Sequence, residues 1–420
     1  MTFHDMLRAL GITDAGDALK KGWEESQATL PEDGIPFLAP GFARTACREV
    51  GLPEEIADAL ERVSRLVASS KPLAALAWHC HRALFATAHH SFDDCRSWPS
   101  LAPALGPDGE TFYLLVLLSG VPRMRQLNAA HRIPAQVERE TLADLIRAIE
   151  HRRHRDGQTT WGLRPPEVAW FANFIRCELY RLGRLQFQFS AFYHKARAFR
   201  HVSGVVLALS EPGVRYAADG QLARSPEETA FTAQLSLGAS HVSGNPILPT
   251  GCALPRAVSL PWSEWKQVLA PGDPVLNVHM PGGGPLAHNA CGDSFRRALQ
   301  FFPAHFPERK LAGFCCHSWL LDAQLQDMLP PTSNIVRFQR EVYLLPAQLD
   351  LEELLRTALG PNWQDLANAP RRTTLQRALV DRLQRGEKLR PRAGGLFLLP
   401  DDLNWGSQVY RSQNLDRFLR

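Results

Sequence analysis

DPVLNVHMPGGGPLAHNACGDSFRRALQFFPAHFPERKLAGFCCHSWLL, residues 273–321, reads as a strand, a glycine-rich turn, an amphipathic helix and a second strand. Val275 to Met280 is a short apolar run between Pro274 and Pro281, as a buried strand requires. Gly282, Gly283 and Gly284 follow, and successive glycines let a backbone approach a ligand closely or take a positive φ without steric cost. Cys291, Ser294, Phe295, Ala298, Leu299 and Phe302 then recur at the spacing of one helix face, and Leu311 to Leu321 supplies another apolar strand. Strand, glycine turn and helix N-terminus offer free backbone N–H groups to a phosphate. Packing alone also produces glycine turns between strands and helices, and the triplet matches neither G-x-G-x-x-G nor the P-loop pattern. Gly292, inside the predicted helix, blurs where it starts.

Around this unit lies a chain of 420 residues, long enough for two or three domains. It is 45% hydrophobic and 21% charged, with a net charge of +4, the composition of an ordinary globular protein. Basic residues gather at His151–Arg155, Arg371–Arg372 and between Arg382 and Arg392, but no aromatic residues interleave with them. That speaks against a nucleic-acid partner and for solvated faces with some attraction for small anions. No apolar window reaches the length of a membrane span, and the stretch from Met1 to Gly16 lacks the apolar core of a secretory leader. Eight dispersed cysteines without C-x-x-C spacing suit reduced thiols, so a cytoplasmic location is expected, with no membrane partner.

Residues 1–155 read as a helical domain, with helices at Thr2–Leu10, Pro53–Ala68, Leu73–Ala88 and Thr141–Arg152. His79 and His81 with His89, His90 and Cys95 invite a metal reading. On a helix, however, His79 and His81 point about 200° apart, so interior histidines are the better account and no metal is expected. Asp156–Gln158 and Leu163–Pro166 mark a break, placing a second domain at 156–346 and a C-terminal extension at 347–420. A helix is predicted from Pro166 to Leu182, ended by Gly183, and then a strand at Leu185–Phe192. Val205–Leu209 and Thr232–Leu237 read as further strands, His241–Pro261 as a long ordered loop and Trp262–Leu269 as a short helix. After Leu321 come a short helix at Asp322–Met328, a strand at Ile335–Leu345, helices at Leu349–Leu359 and Thr373–Arg385, and a strand at Gly395–Leu399.

CELYRLGRLQFQF (177–189), VLNVHMPGGGPL (275–286) with the helix after it, and CCHSWLLD (315–322) with SNIVRFQ (333–339) resemble a bacterial family of acyltransferase-domain proteins. In that family an N-terminal helical domain precedes a domain of the GNAT (Gcn5-related N-acyltransferase) type. The resemblance implies an α+β fold, a helical N-terminal domain followed by a mixed sheet flanked by helices. It implies that 275–280 is the fourth strand of that sheet, that 311–321 is the fifth, and that the two splay to admit the pantetheine arm of acetyl-CoA or another acyl-CoA. Met280, Gly282, Gly283, Gly284, Leu286 and, on the helix, Ser294 would then be the coenzyme A positions. Two departures stand out: the loop keeps only the glycines of (Gln/Arg)-x-x-Gly-x-(Gly/Ala), and Asp322–Met328 lacks the tyrosine that commonly acts as general acid.

Acyl transfer to an amine needs the amine deprotonated, the carbonyl polarised and the departing thiolate protonated. Residues i and i+2 of a strand share a face, so Asn277 pairs with His279 and Cys315 with His317. His317 is the first choice as base, with His279 beside it, although either also reads as a core histidine bonded to backbone. Ser318, on the other face, is a candidate for the pantetheine amides or the leaving sulfur. Cys316 is disfavoured as a nucleophile because an apolar strand raises a thiol's pKa. Glu178 is a substrate candidate whose structural alternative is an ion pair with Arg181 or Arg184; His241 is a second substrate candidate, and Arg296 and Arg297 could meet phosphates or face solvent. The leading reading is an N-acyltransferase acting on a small-molecule amine, the rival a non-catalytic coenzyme A- or small-molecule-binding module on the same frame. A Ser or Cys hydrolase finds no G-x-S-x-G to support it.

Overall fold

A computed structural model describes residues 1–13, 17–86, 91–155, 160–387, 389–390 and 392–419. His89, His90 and the Asp156–Gln158 break lie outside the described residues. The chain divides into two compact units, Met1–Leu182 and Gly183–Arg420.

The first unit is mostly helical. At its centre is Gly109–Leu118, whose sequence GETFYLLVLL is buried at every residue except Glu110; a helix apolar nearly all round is stable only when enclosed. Helices Glu54–Ser69, Lys71–Phe85 and Pro165–Ile175 pack against it, each with an apolar stripe. His79 is an interior histidine, 2.7 Å from the Leu19 carbonyl and 2.8 Å from Ser26 Oγ. Among the described residues no three His, Cys, Asp or Glu side chains gather as a metal site would need, and no helix is long and apolar enough to cross a membrane.

The helix expected to reach Leu182 stops at Ile175. Cys177 takes a left-handed φ of 60°, its N–H returning to the Phe174 carbonyl, and Leu179–Leu182 is extended. Glu178 and Tyr180 are therefore not helical, and the division between units falls after Leu182 rather than after residue 155.

In the second unit five strands form one sheet: β1 (Leu185–Ala191), β2 (Pro274–His279), β3 (Gly313–Ser318), β4 (Tyr343–Gln348) and β5 (Arg392–Leu398), in the order β1-β2-β3-β5-β4. Only β2 and β3 are parallel in this set; the other pairs run antiparallel. The C-terminal region is thus not an added layer, because β5 sits inside the sheet between β3 and β4. Helix α1 (His288–His305) connects β2 to β3 and packs on the face of Val278 and Phe187, where Phe187, Phe295 and Phe314 meet with ring centroids 5.0–5.7 Å apart.

Three local expectations fail for identifiable reasons. Ile335–Leu345 is not one strand: Ser333 accepts from the Val336 N–H and starts helix α2 (Asn334–Arg340), and extended chain begins at Tyr343. Trp262–Leu269 is not a helix, since Trp265–Leu269 pairs with Ala196–His201 and buries Trp265 beside His201. The loop expected at 241–261 holds short antiparallel strands at His241–Gly244, Pro246–Leu248, Cys252–Ala253 and Val258–Pro261. Val242, Val258 and Leu260 go from these into a core with Phe199, Leu207 and Leu209. Prolines at the ends of such short strands hid them; they cost nothing where no ladder N–H is needed.

Candidate functional site

The centre of the site is the place where β2 and β3 part. Val275, Leu276 and Asn277 pair with Gly313, Phe314 and Cys315, and there the ladder ends. Beyond it β2 follows β1, with His279 opposite Gln186, while Cys316, His317 and Ser318 follow β5 opposite Leu396, Gly395 and Gly394. A gap opens between two strands that each keep their outer partner.

Beside this gap the chain runs through Met280 into the glycine turn. Gly282 and Gly284 have no heavy atom within 4 Å of where a Cβ would sit, and Gly283 has a φ of 88°. Among the described residues none accepts a hydrogen bond from the N–H of Gly282, Gly283 or Gly284. Their carbonyl side is fastened instead: Arg184 donates from Nη2 to the Gly284 carbonyl and from Nε to that of Pro285, both at 2.9 Å. The turn therefore faces outward with its donors and carries a guanidinium behind it. Leu286 turns into the core, and α1 starts at His288 with no side-chain cap on its first N–H groups.

Ser294 lies on the hidden side of this arrangement. It is fully buried, donates to the Ala290 carbonyl at 2.8 Å and accepts from the N–H of Arg184 and Leu185. It fastens α1 to the start of β1 and is fully engaged within the protein. Arg296 forms an exposed ion pair with Asp293.

Asn277, His279, Cys315 and His317 share the open face of the gap, as the strand period requires. His279 Nε2 is 3.0 Å from Gln188 Oε1 and 3.4 Å from Asn277 Nδ2. Burial lowers its pKa from 6.5 to about 4. His317 is exposed and donates from Nε2 to the Gln348 carbonyl at 3.0 Å, which in the neutral ring leaves Nδ1 as the acceptor. Ser318 accepts from the Leu320 N–H and starts a short 3-10 turn. Burial pushes the Cys315 thiol up to about 12 and raises Cys316 further, so neither is a thiolate near neutral pH.

Two side chains here escaped the sequence reading. Tyr193, just past β1, is 46% exposed and donates to Asn277 Oδ1 at 3.1 Å. Burial of its hydroxyl end raises its pKa, with Cys315 and Cys316 alongside adding to the shift, and keeps it a phenol. Its neighbour His194 is buried and donates from Nε2 to the Cys316 carbonyl at 2.9 Å, with burial lowering its pKa to about 4. Only the aromatic-polar string Phe192-Tyr193-His194 at a strand end could have pointed to them.

The remaining substrate candidates lie on other elements. His241 is exposed on the three-stranded sheet opposite Pro261, bonded to Ser240. Glu178 belongs to the first unit and pairs with Arg176 at 2.9 Å, not with Arg181 or Arg184; Arg181 holds Asp144.

His194 and His279 make acid sensitivity a direct prediction. Unfolded, both protonate near 6.5; folded, both stay neutral down to about 4. The unfolded chain therefore binds more protons between those values, and their contribution is complete above 6.5 and lost as pH falls towards 4. Denaturant titrations of the full chain at pH 7, 5.5 and 4.5 should show stability dropping by up to about 1.4 kcal/mol per pH unit for each histidine. A flat profile would contradict the assignment.

A parallel strand pair that opens beside a glycine turn, with a helix starting at that turn, defines a GNAT-type acyltransferase fold. The chain belongs to the family of GNAT-like C-terminal domains, matched over residues 179–396, and residues 41–177 match the N-acyltransferase N-terminal domain. Among solved structures, an acyltransferase in complex with decanoyl-CoA and teicoplanin is similar, at 24% identity and a TM-score of 0.63, over 95% of this chain and 100% of that one. An acyltransferase point mutant in complex with octanoyl-CoA matches over the same shares at 24% identity and a TM-score of 0.64. No curated protein sequence matches the chain.

Proposed function

We propose that the chain is an acyl-CoA-dependent N-acyltransferase that moves an acyl group from coenzyme A to the amine of a small molecule. The observation that carries this reading is the gap between β2 and β3 beside three glycine amides without an acceptor among the described residues. A diphosphate takes the donors of Gly282–Gly284 and the uncapped start of α1, with Arg184 adding positive charge behind the turn. The pantetheine arm enters the gap and brings the thioester to the face of Asn277, His279 and His317.

The amine nitrogen attacks the thioester carbonyl, the new C–N bond forms and the C–S bond breaks. His317 Nδ1 takes the proton that the amine loses, and Tyr193, held as a phenol at the mouth of the gap, gives a proton to the departing sulfur. The octanoyl-CoA, decanoyl-CoA and teicoplanin bound by the similar solved proteins support a medium-chain acyl donor and a small-molecule acceptor. The test is release of free thiol from decanoyl-CoA in the presence of a panel of primary amines, including amino sugars and glycopeptides.

Two observations favour a binding module instead: Asp322–Met328 holds no tyrosine and Ser318 is occupied as a cap. Coenzyme A binding without thiol release above background for any amine would select that reading.

A further inference from the structure

The start of α1 is bolted to a distant part of the chain. His288, its first residue, is buried and donates from Nε2 to Glu341 Oε1 at 2.9 Å; the Glu341 side chain is 3% exposed. The second Glu341 oxygen accepts from the N–H of Gly406 at 2.8 Å and of Gln408 at 3.3 Å. Trp405, just before them in the chain, donates from its indole to the His288 carbonyl at 2.9 Å. Its ring lies against His288, Phe295 and Phe338, with centroids 5.2–5.6 Å away. A Cβ on Gly292 would come within 2.4 Å of this ring, so the glycine that looked out of place in a helix is the seat of Trp405. Gln408 adopts a left-handed φ of 50°, a conformation that persists in a non-glycine residue only where its surroundings fix it.

These contacts converge on residues 288–292, immediately after the glycine turn. A buried carboxylate is costly unless its oxygens are hydrogen-bonded, and Glu341 is given three donors. An apolar contact alone would hold the helix but let it slide; directional bonds to His288 set its height and rotation. We propose that the segment around Trp405, tied down by Glu341, is a clamp that sets the diphosphate-binding end of α1, so that Glu341 and Trp405 are positioning residues for the acyl donor. This rests on the acyl-CoA reading given above. The clamp touches the helix and not the reacting face, so its loss weakens donor binding and leaves the chemistry of bound donor in place.

The experiment compares wild type, Trp405→Ala, Trp405→Phe and Glu341→Gln as full chains, each checked by thermal melting. Titration with coenzyme A should show Kd raised about tenfold or more in Trp405→Ala and Glu341→Gln, since misplacing binding groups by about 1 Å has effects of this size. Trp405→Phe, which keeps a ring on Gly292, should recover most of the loss. With decanoyl-CoA the KM should rise in step while kcat stays within about twofold. Amide exchange without any ligand should show the first turn of α1 opening faster in Trp405→Ala and Glu341→Gln. Folded variants with unchanged Kd and unchanged exchange overturn the clamp, as does a fall in kcat at constant KM. A wild type that does not bind coenzyme A removes the acyl-CoA reading instead, and the ligand-free exchange then still decides whether the clamp holds the helix.

Discussion

Replacing Gly282 with valine is expected to weaken coenzyme A binding by about 100-fold without lowering the melting temperature. A Cβ at Gly282 or Gly284 meets nothing within 4 Å, and neither residue carries the left-handed φ that makes Gly283 intolerant of a side chain. Valine there strains no backbone and displaces no neighbour. What it fills is the space over donors that nothing in the described protein uses. Losing two hydrogen bonds to a charged diphosphate, at about 1.5 kcal/mol or more each, corresponds to about 100-fold in Kd. Gly284→Val should behave alike. Gly283→Val should instead lose stability, because its φ of 88° is unfavourable for a branched side chain. Isothermal titration with coenzyme A alongside thermal melting separates these outcomes; unchanged affinity in Gly282→Val and Gly284→Val would place the diphosphate elsewhere.

His317→Ala is expected to lower kcat by about 100-fold or more at nearly constant KM, the usual range for removing a general base. His317 has the better claim because it is exposed and its Nε2 proton is committed to the Gln348 carbonyl. His279 is inside, and burial sets its pKa at about 4. A base that weak gives little driving force for taking a proton from an amine. If His279 nevertheless served, kcat/KM would decline only as the pH fell through about 4, where its ring becomes protonated. The pH profile of wild type with the two alanine variants therefore distinguishes them. An acidic limb at about 4, lost in His279→Ala while His317→Ala stays active, would reverse the assignment.

The elements that build this site were legible because each carries a local signal. The apolar run before Pro281, the glycine triplet and the one-face spacing from Cys291 to Phe302 specified strand, turn and helix before any tertiary contact was known. The i, i+2 rule likewise put Asn277 with His279 and Cys315 with His317. What stayed hidden depends on partners far along the chain. Nothing near Ser294 says that its hydroxyl is claimed by the amides of Arg184 and Leu185. Nothing near Tyr193 says that Asn277 will receive it. Gly292 weakened the helix assignment until Trp405 supplied its reason. Short strands between prolines looked like a loop, and the alternation after Ser333 looked like a strand although Ser333 caps a helix.

In the proposed function the amides of the glycine turn grip a diphosphate next to the parting of β2 and β3. A crystal structure with decanoyl-CoA tests it most directly. Diphosphate oxygens should lie within hydrogen-bond distance of the N–H groups of Gly282–Gly284, with the pantetheine arm between Val278–His279 and Cys316–His317. Coenzyme A seated on another surface, or those two strand ends closed on each other with the ligand excluded, would contradict it.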